Sequence, residues 1–368
     1  MTSPAEPANP SGAIAALTGI RGFAALWVVF YHLRPIWNAT YPEWTDCLAI
    51  ARRGYLGVDL FALLSGFVIS YTYASTLRNF SARSSARYLW LRFARIYPLH
   101  IAILALFLLA RNRFSVSGIA ALLSQDMTFT RQVLLLNGWG FESEFAWNAP
   151  SWTLSSEWLC YLCFPLLAPL TSRLTDGRIA LGLAAASLTG TAVLLWLVGH
   201  AAFDAYLDWG WLRIGGEFIA GCWLFVAYRS GIAGGWPLGW LGLAALLVGL
   251  KLCTTAVPAG SVAAFAIVVF ALAHSRQPLD LLFGNRVSVY LGEISFSIYM
   301  IHWFIIENSA LLKLNTIALD IRGWIAIGAV LLAAAFLYEF VERPSRVFLR
   351  KLGLVMFGSA TTETPRRS

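Results

Sequence analysis

Arg21 and His32 stand eleven residues apart in the segment LTGIRGFAALWVVFYHL. At 3.6 residues per turn that spacing is about three turns plus 20°, so on a helix both side chains share one face, separated by about 16 Å of rise. A histidine of ordinary pKa, about 6.5, exchanges a proton near neutral pH. An arginine stays charged and can hold an anion or a polarised oxygen. The pair therefore suits acid–base chemistry beside an anionic group. It also suits a hydrogen-bonded core histidine above an arginine that snorkels to a membrane edge.

Other ionisable groups lie in equally apolar surroundings. Arg92 and Arg95, in RFARIYP, are one helical turn apart, with Arg87 shortly before them. Such a fork fits a phosphate-bearing ligand, or else anchors a helix end against anionic lipid. Glu157 follows Trp152 in SWTLSSEWLCYLCFP. A carboxylate in an apolar span needs a partner or a proton. It could serve as a base, orient His32, or hold a sugar hydroxyl beside aromatic platforms such as Trp152; a structural salt bridge is the alternative. Asp59 lies among Gly54, Gly57 and Gly66 and is expected to pair with Arg21. Arg213 and Glu217 are placed to satisfy each other at i, i+4. Ser295, Tyr299 and His302 form a polar stripe at i, i+4, i+7, suited to substrate binding or to interhelical hydrogen bonds. The chain has five cysteines. Cys47 and Cys253 lie apart from the rest, and Cys160, Cys163 and Cys222 lie in apolar runs. A structural disulfide framework is not expected, and the Cys160/Cys163 pair fits helix packing better than redox or metal chemistry.

These residues must be positioned by membrane helices. Hydrophobic residues make up 58% of the 368 and charged residues 12%, and the mean hydropathy is +0.67. A soluble domain carries about 25% charged residues, so a soluble enzyme, a disordered chain and a nucleic-acid-binding domain all fit poorly. About 20 apolar residues cross a bilayer. Ten such segments run near 14–33, 54–74, 89–110, 150–170, 178–198, 210–228, 234–250, 257–273, 287–308 and 323–341. The 111–149 connection has room for a re-entrant or interfacial helix. The net charge is +8. Most of the arginines and lysines fall on the even-numbered connections, the start of the third span and the end of the chain, which by the positive-inside rule puts both termini in the cytoplasm. The expected organisation is an all-α polytopic bundle of about ten transmembrane helices. It comprises a polar tail over 1–13, a membrane domain over 14–344 and a basic cytoplasmic tail over 345–368. The first residues lack a basic n-region, so no cleavable signal peptide is expected.

Six segments in order resemble the membrane acyltransferase 3 family, which includes bacterial O-acetyltransferases of surface glycans. They are the Arg21/His32 helix, GYLGVDLFALLSGF with Asp59, RFARIYP, SWTLSSEW with Glu157, SFSIYMIHW with Tyr299 and His302, and VERP with Glu342 and Pro344. The resemblance runs from Leu17 to about Pro344. It implies transfer of an acyl group, usually acetyl, from cytoplasmic acyl-CoA to an acceptor hydroxyl, in a multi-pass protein of the inner membrane. On this reading His32 deprotonates the acceptor, and Arg21 positions the donor or stabilises an oxyanion. Glu157 and Asp59 complete the catalytic set. Arg92, Arg95 and Arg87 hold CoA phosphates, and Trp152, Tyr299 and His302 line the acceptor site. No metal and no resident cofactor is required. Two departures stand out. Trp158 follows Glu157 where many members carry a second acid, and the chain ends without the fused periplasmic SGNH-type domain of some members. Transfer is then completed by the chain itself or handed to a separate periplasmic partner. The competing class is a proton-coupled carrier or flippase using the same buried His, Asp, Glu and Arg, which should show broken helices and paired repeats.

Overall fold

The computed structural model describes residues 10–43, 49–111, 117–118, 121–122, 126–201, 203–253, 258–274 and 277–358. Cys47, Arg113, Arg276, Arg366 and Arg367 lie outside the described residues, as does most of the 1–13 segment. The described residues form helices and turns, without strands. The helices are α1 (Pro10–His32), α2 (Arg34–Thr40), α3 (Gly57–Tyr73, preceded by the 3-10 turn Gly54–Leu56), α4 (Ala82–Ala110) and α5 (Met127–Val133). They continue with α6 (Ser151–Arg173), α7 (Gly177–Leu197), α8 (Gly210–Arg229), α9 (Leu238–Cys253) and α10 (Pro258–Ala273). The last are α11 (Leu279–Phe283), α12 (Arg286–Glu293), α13 (Ser295–Glu307), α14 (Leu319–Leu337) and α15 (Arg343–Phe357).

Each of the ten apolar segments coincides with a helix or a helix pair, but they are unequal in length and apolarity. Among the described residues five helices are long and apolar enough to cross a membrane, or six if the α12–α13 pair, bent by 61°, counts as one span. At 1.5 Å per residue, α9 and α10, of 16 residues each, reach only about 24 Å, short of a bilayer core of about 30 Å. Helices α6 and α8 have the length but carry serines, prolines and buried charges in place of uniform apolar sequence. Capping marks several starts. Asp176 accepts from the backbone N–H of Arg178 (2.8 Å) and Ile179 (3.2 Å) at α7, and Asn285 from that of Ser288 (3.0 Å) at α12; such caps satisfy otherwise orphaned amide donors.

Helix α8 packs against α7, α3 and α6, α9 packs against α10, and α1 runs beside α3, α12 and α13. The α3–α8 crossing needs two glycines. A Cβ on Gly66 would collide with the Phe218 carbonyl, and one on Gly221 with the Leu63 carbonyl. The backbones thus approach at a distance that other residues forbid. Outward faces of α7 and α14 present exposed Trp196, Leu197, Leu332 and Phe336, which suits lipid contact. The segment expected as a tail from 345 is helical to Phe357. There α15 docks on the start of α4, where Trp90 Nε1 donates to the Leu349 carbonyl (2.8 Å) and Arg83 to that of Phe357 (3.0 Å). In the 111–149 connection residues 117–118 and 121–122 are helical, and α5, of seven residues, follows them.

Candidate active site

The break between α12 and α13 starts a new helix at Ser295 and aims one face of α13 at α1. Tyr299 and His302 lie on that face, with His302 completely buried. His32 and His302, 270 residues apart, meet there, with His302 Nε2 3.2 Å from His32 Nδ1. Carbonyl oxygens only accept hydrogen bonds, and this assigns the ring protons. His302 Nδ1 lies 2.6 Å from the Tyr299 carbonyl, so it carries hydrogen and its Nε2 is the lone pair. His32 Nδ1, 3.0 Å from the Val28 carbonyl, likewise carries hydrogen and donates to both Val28 and His302 Nε2. The proton-accepting lone pair of His32 is then on Nε2. The imidazole of His32 also packs against Tyr31 (4.9 Å) and Trp303 (5.3 Å).

Two cavities lie one residue away from this pair, one beyond Tyr299 and one beyond Tyr31. The first is lined by Arg21, Phe61, Thr153, Glu157, Ser295 and Tyr299, among others. Tyr299 connects it to the histidines, its ring centroid 5.7 Å from that of His302. The Tyr299 hydroxyl donates to the Pro150 carbonyl (3.1 Å) and meets the Thr153 hydroxyl (2.9 Å). Glu157 accepts from Ser65, whose hydroxyl is 3.4 Å from that of Tyr161. Arg21 Nε and Ser295 Oγ are buried without a hydrogen-bond partner. Orphaned buried polar groups are uncommon, and these two on one cavity wall leave donors for a bound molecule.

Further from the histidines, arginines gather behind Arg21. Arg92 donates to the Tyr73 hydroxyl (2.7 Å), stacks on that ring and has its Nε unpartnered. Arg95 is paired with Glu342, which also accepts from the Ser297 hydroxyl (2.7 Å). The charges of Arg21, Arg346 and Arg92 all act on Arg95. Four cations thus face two carboxylates, Glu157 and Glu342, an excess that suits an anionic ligand. Arg87, half-buried on α4, lies before this group. Sequence reasoning did not assign roles to Ser65, Tyr73 or Glu342. The acid placed just before Pro344 was the available signal for Glu342.

Two pairings differ from expectation. Asp59 does not meet Arg21. Both its oxygens are held by Arg213, at 2.9 Å from Nε and 2.6 Å from Nη2, and both side chains are fully buried. Glu217 stands 3.9 Å from Arg213 Nε, a secondary contact, and its carboxyl meets that of Asp59. The bidentate fork wins because a guanidinium matches a carboxylate plane across a helix pair better than a short side chain can along one helix. Asp59 is thereby a structural partner below the rings of Tyr55 and Tyr206, each 5.6 Å from the Arg213 guanidinium. Trp152 is 5% exposed and packs on Gly210 and Tyr206; it does not line the Arg21–Tyr299 cavity. Cys160 and Cys163 are free thiols, one buried and one exposed.

The second cavity opens beside Tyr31, Arg34, Arg52, Arg53, Tyr55 and Tyr206, with Asp204 on its wall. The Tyr206 hydroxyl donates to Asp204 (2.8 Å). Burial pushes this phenol up from its ordinary range and Asp204 adds to that, against the pull of Arg213, so it stays a donor.

Residues 14–340 match the family described as Acyltransferase domain. The chain is 31% identical over 349 residues to acyltransferase MdmB of Streptomyces mycarofaciens, covering 88% of this chain and 86% of the relative. It is 30% identical over 350 residues to the acetyltransferase-named ORF330 of Acidianus two-tailed virus, covering 90% of this chain and 91% of the relative. No solved structure shows significant similarity to the chain.

Proposed function

The chain belongs to the acyltransferase 3 family and is an acyl-transferring enzyme, and from that premise we propose that it is an integral membrane O-acyltransferase that passes an acyl group from cytoplasmic acyl-CoA to a hydroxyl of an extracytoplasmic glycan or lipid-linked saccharide. The observation that carries this reading is the His32–His302 contact, one residue from each of two cavities, which leaves the free lone pair of His32 on Nε2. A hydroxyl is a weak nucleophile near neutral pH and needs a base beside it. His32 Nε2 takes the acceptor's proton as its oxygen attacks the thioester carbonyl. Collapse of the tetrahedral adduct expels CoA thiolate, which the imidazolium protonates. The ester oxygen bond forms as the carbon–sulfur bond breaks, and the proton passes from the hydroxyl to CoA.

Arg92 and Arg95 with Arg87 hold the phosphates of the donor, and its arm runs through the Arg21–Glu157–Tyr299 cavity toward His32. About 16 Å of helix rise separates Arg21 from His32, so Arg21 positions the donor and does not serve as the oxyanion group. The break at Ile294, a feature expected of a carrier, delivers Ser295 and Tyr299 to this cavity. Ten spans with both termini cytoplasmic in the inner membrane would place the arginine group inside and the Tyr31 mouth outside. A separate periplasmic transferase is the partner if transfer to the final glycan takes a second step. The test is radiolabelled acetyl-CoA added to membranes with and without the protein. Label in an extracted acceptor, with one CoA released per label, supports the reading; release or uptake of label without an ester overturns it.

A further inference from the structure

The cavity beside Tyr31 has a volume of about 510 Å³, within the range of about 300–1,000 Å³ of small-molecule sites. Its aromatic wall is continuous. Tyr31 and Tyr55 lie 5.6 Å apart, Tyr55 and Tyr206 6.4 Å apart, and Tyr31 leads to His32. Among the described residues its lining carries three arginines and one carboxylate. Arg34 stacks on Tyr31 at 4.1 Å and donates to the Tyr31 carbonyl (3.1 Å), while Arg52 donates to Asn38 (3.3 Å). Among the described residues neither forms an ion pair. Arg53 donates to the Tyr55 hydroxyl (3.1 Å). The wall's carboxylate, Asp204, is occupied by Tyr206. The guanidinium groups of Arg34 and Arg52, held by neutral partners, keep donors and net charge for an anion, and arginine matches the planar oxygens of carboxylate and phosphate.

Resting on the acyl-transfer reading for its consequence, we propose that this cavity is the acceptor site and that the acceptor is anionic. It would bind a saccharide carrying a carboxylate or phosphate on Arg34 and Arg52, with its ring against the tyrosines and a free hydroxyl presented to His32. The anionic group sets the register. Arg34 stacks on the Tyr31 ring, whose centroid is 4.9 Å from that of His32, so an anion held by Arg34 would leave the hydroxyls of the same sugar along Tyr31 toward the imidazole.

The test is equilibrium binding, by tryptophan fluorescence, to the purified full chain in phosphate-free dodecyl maltoside. The probes are methyl β-glucuronide, glucose 1-phosphate and methyl β-glucoside. At least one anionic probe should bind about tenfold or more tighter than the glucoside, since a charge-assisted contact outweighs a neutral one by about that factor. Which anion wins tells carboxylate from phosphate. The double variant Arg34→Gln/Arg52→Gln should remove the preference, whereas Arg34→Lys/Arg52→Lys should keep most of it and so report a folded site. Equal binding of all three probes, no binding of any, or a preference that survives the glutamine pair overturns the proposal. Transfer from labelled acetyl-CoA to the same probes is followed in parallel. Anion-selective binding without transfer counts against the acyl-transfer reading alone, and transfer without selectivity counts against the anion site alone.

Discussion

Replacing His302 would separate the proposed base, His32, from the residue proposed to position it. His302 is completely buried and offers Nε2 to His32 Nδ1 at 3.2 Å. Leucine of similar size removes that acceptor without opening a large void. His32 keeps its Val28 hydrogen bond at 3.0 Å, so its tautomer survives while its orientation loosens. The loss is that of one intramolecular hydrogen bond, about 0.5–1.5 kcal/mol. At about 1.4 kcal/mol per factor of ten, kcat for His302→Leu should fall by about 2- to 12-fold, with KM for acyl-CoA unchanged. His302→Gln can offer its side-chain oxygen to the same proton and should recover much of the loss. General-base removal costs about 10²–10⁴-fold, so the two roles are separable by size. The assay is initial-rate acyl transfer by purified protein, with melting temperature followed in parallel. A His302→Leu variant as inactive as His32→Ala, though folded, would refute the positioning role and make His302 the base. An unchanged kcat would show that the contact does nothing for catalysis.

Arg92→Ala should raise the KM or Kd for acyl-CoA about tenfold or more, from the loss of a charge-assisted contact worth about 1.5–3 kcal/mol; donor titration of the inserted protein checks this, and unchanged affinity would leave Arg92 as a helix anchor. Asp59→Ala strands the buried Arg213 and should cost about 3–5 kcal/mol of stability, read as a lower melting temperature in detergent. The double variant Asp59→Leu/Arg213→Leu should recover part of that loss. Reporter fusions in the 76–87 loop and after Phe357 should both report the cytoplasm, and an extracytoplasmic C-terminus would contradict an even number of spans.

The helices themselves were legible in the sequence because apolar runs of membrane length have few other uses, and the shared face of Arg21 and His32 follows from helix period alone. What faces that side was not legible. Period gives the direction of a side chain from its own axis and says nothing of which distant helix arrives there. His302 lies 270 residues from His32, Glu342 247 from Arg95 and Arg213 154 from Asp59. The Arg213–Glu217 expectation held only as a long contact of 3.9 Å for the same reason. A local i, i+4 partner was visible, and the stronger bidentate partner on α3 was not. The break at Ile294 was hidden too, since LGEISFS remains apolar enough to be taken as one span. The resemblance placed Glu157 and the arginines in one site without indicating that Ser65 would bind the carboxylate or that Glu342 would take Arg95.

In the proposed mechanism His32 Nε2 removes the acceptor's proton during acyl transfer from CoA. It is tested most directly by His32→Ala in the purified full chain. Transfer of the labelled acetyl group from acetyl-CoA to the native acceptor is measured beside donor affinity and melting temperature. Transfer should fall by about 10²-fold or more, with donor affinity and folding retained. Near-normal transfer by the folded variant would contradict it.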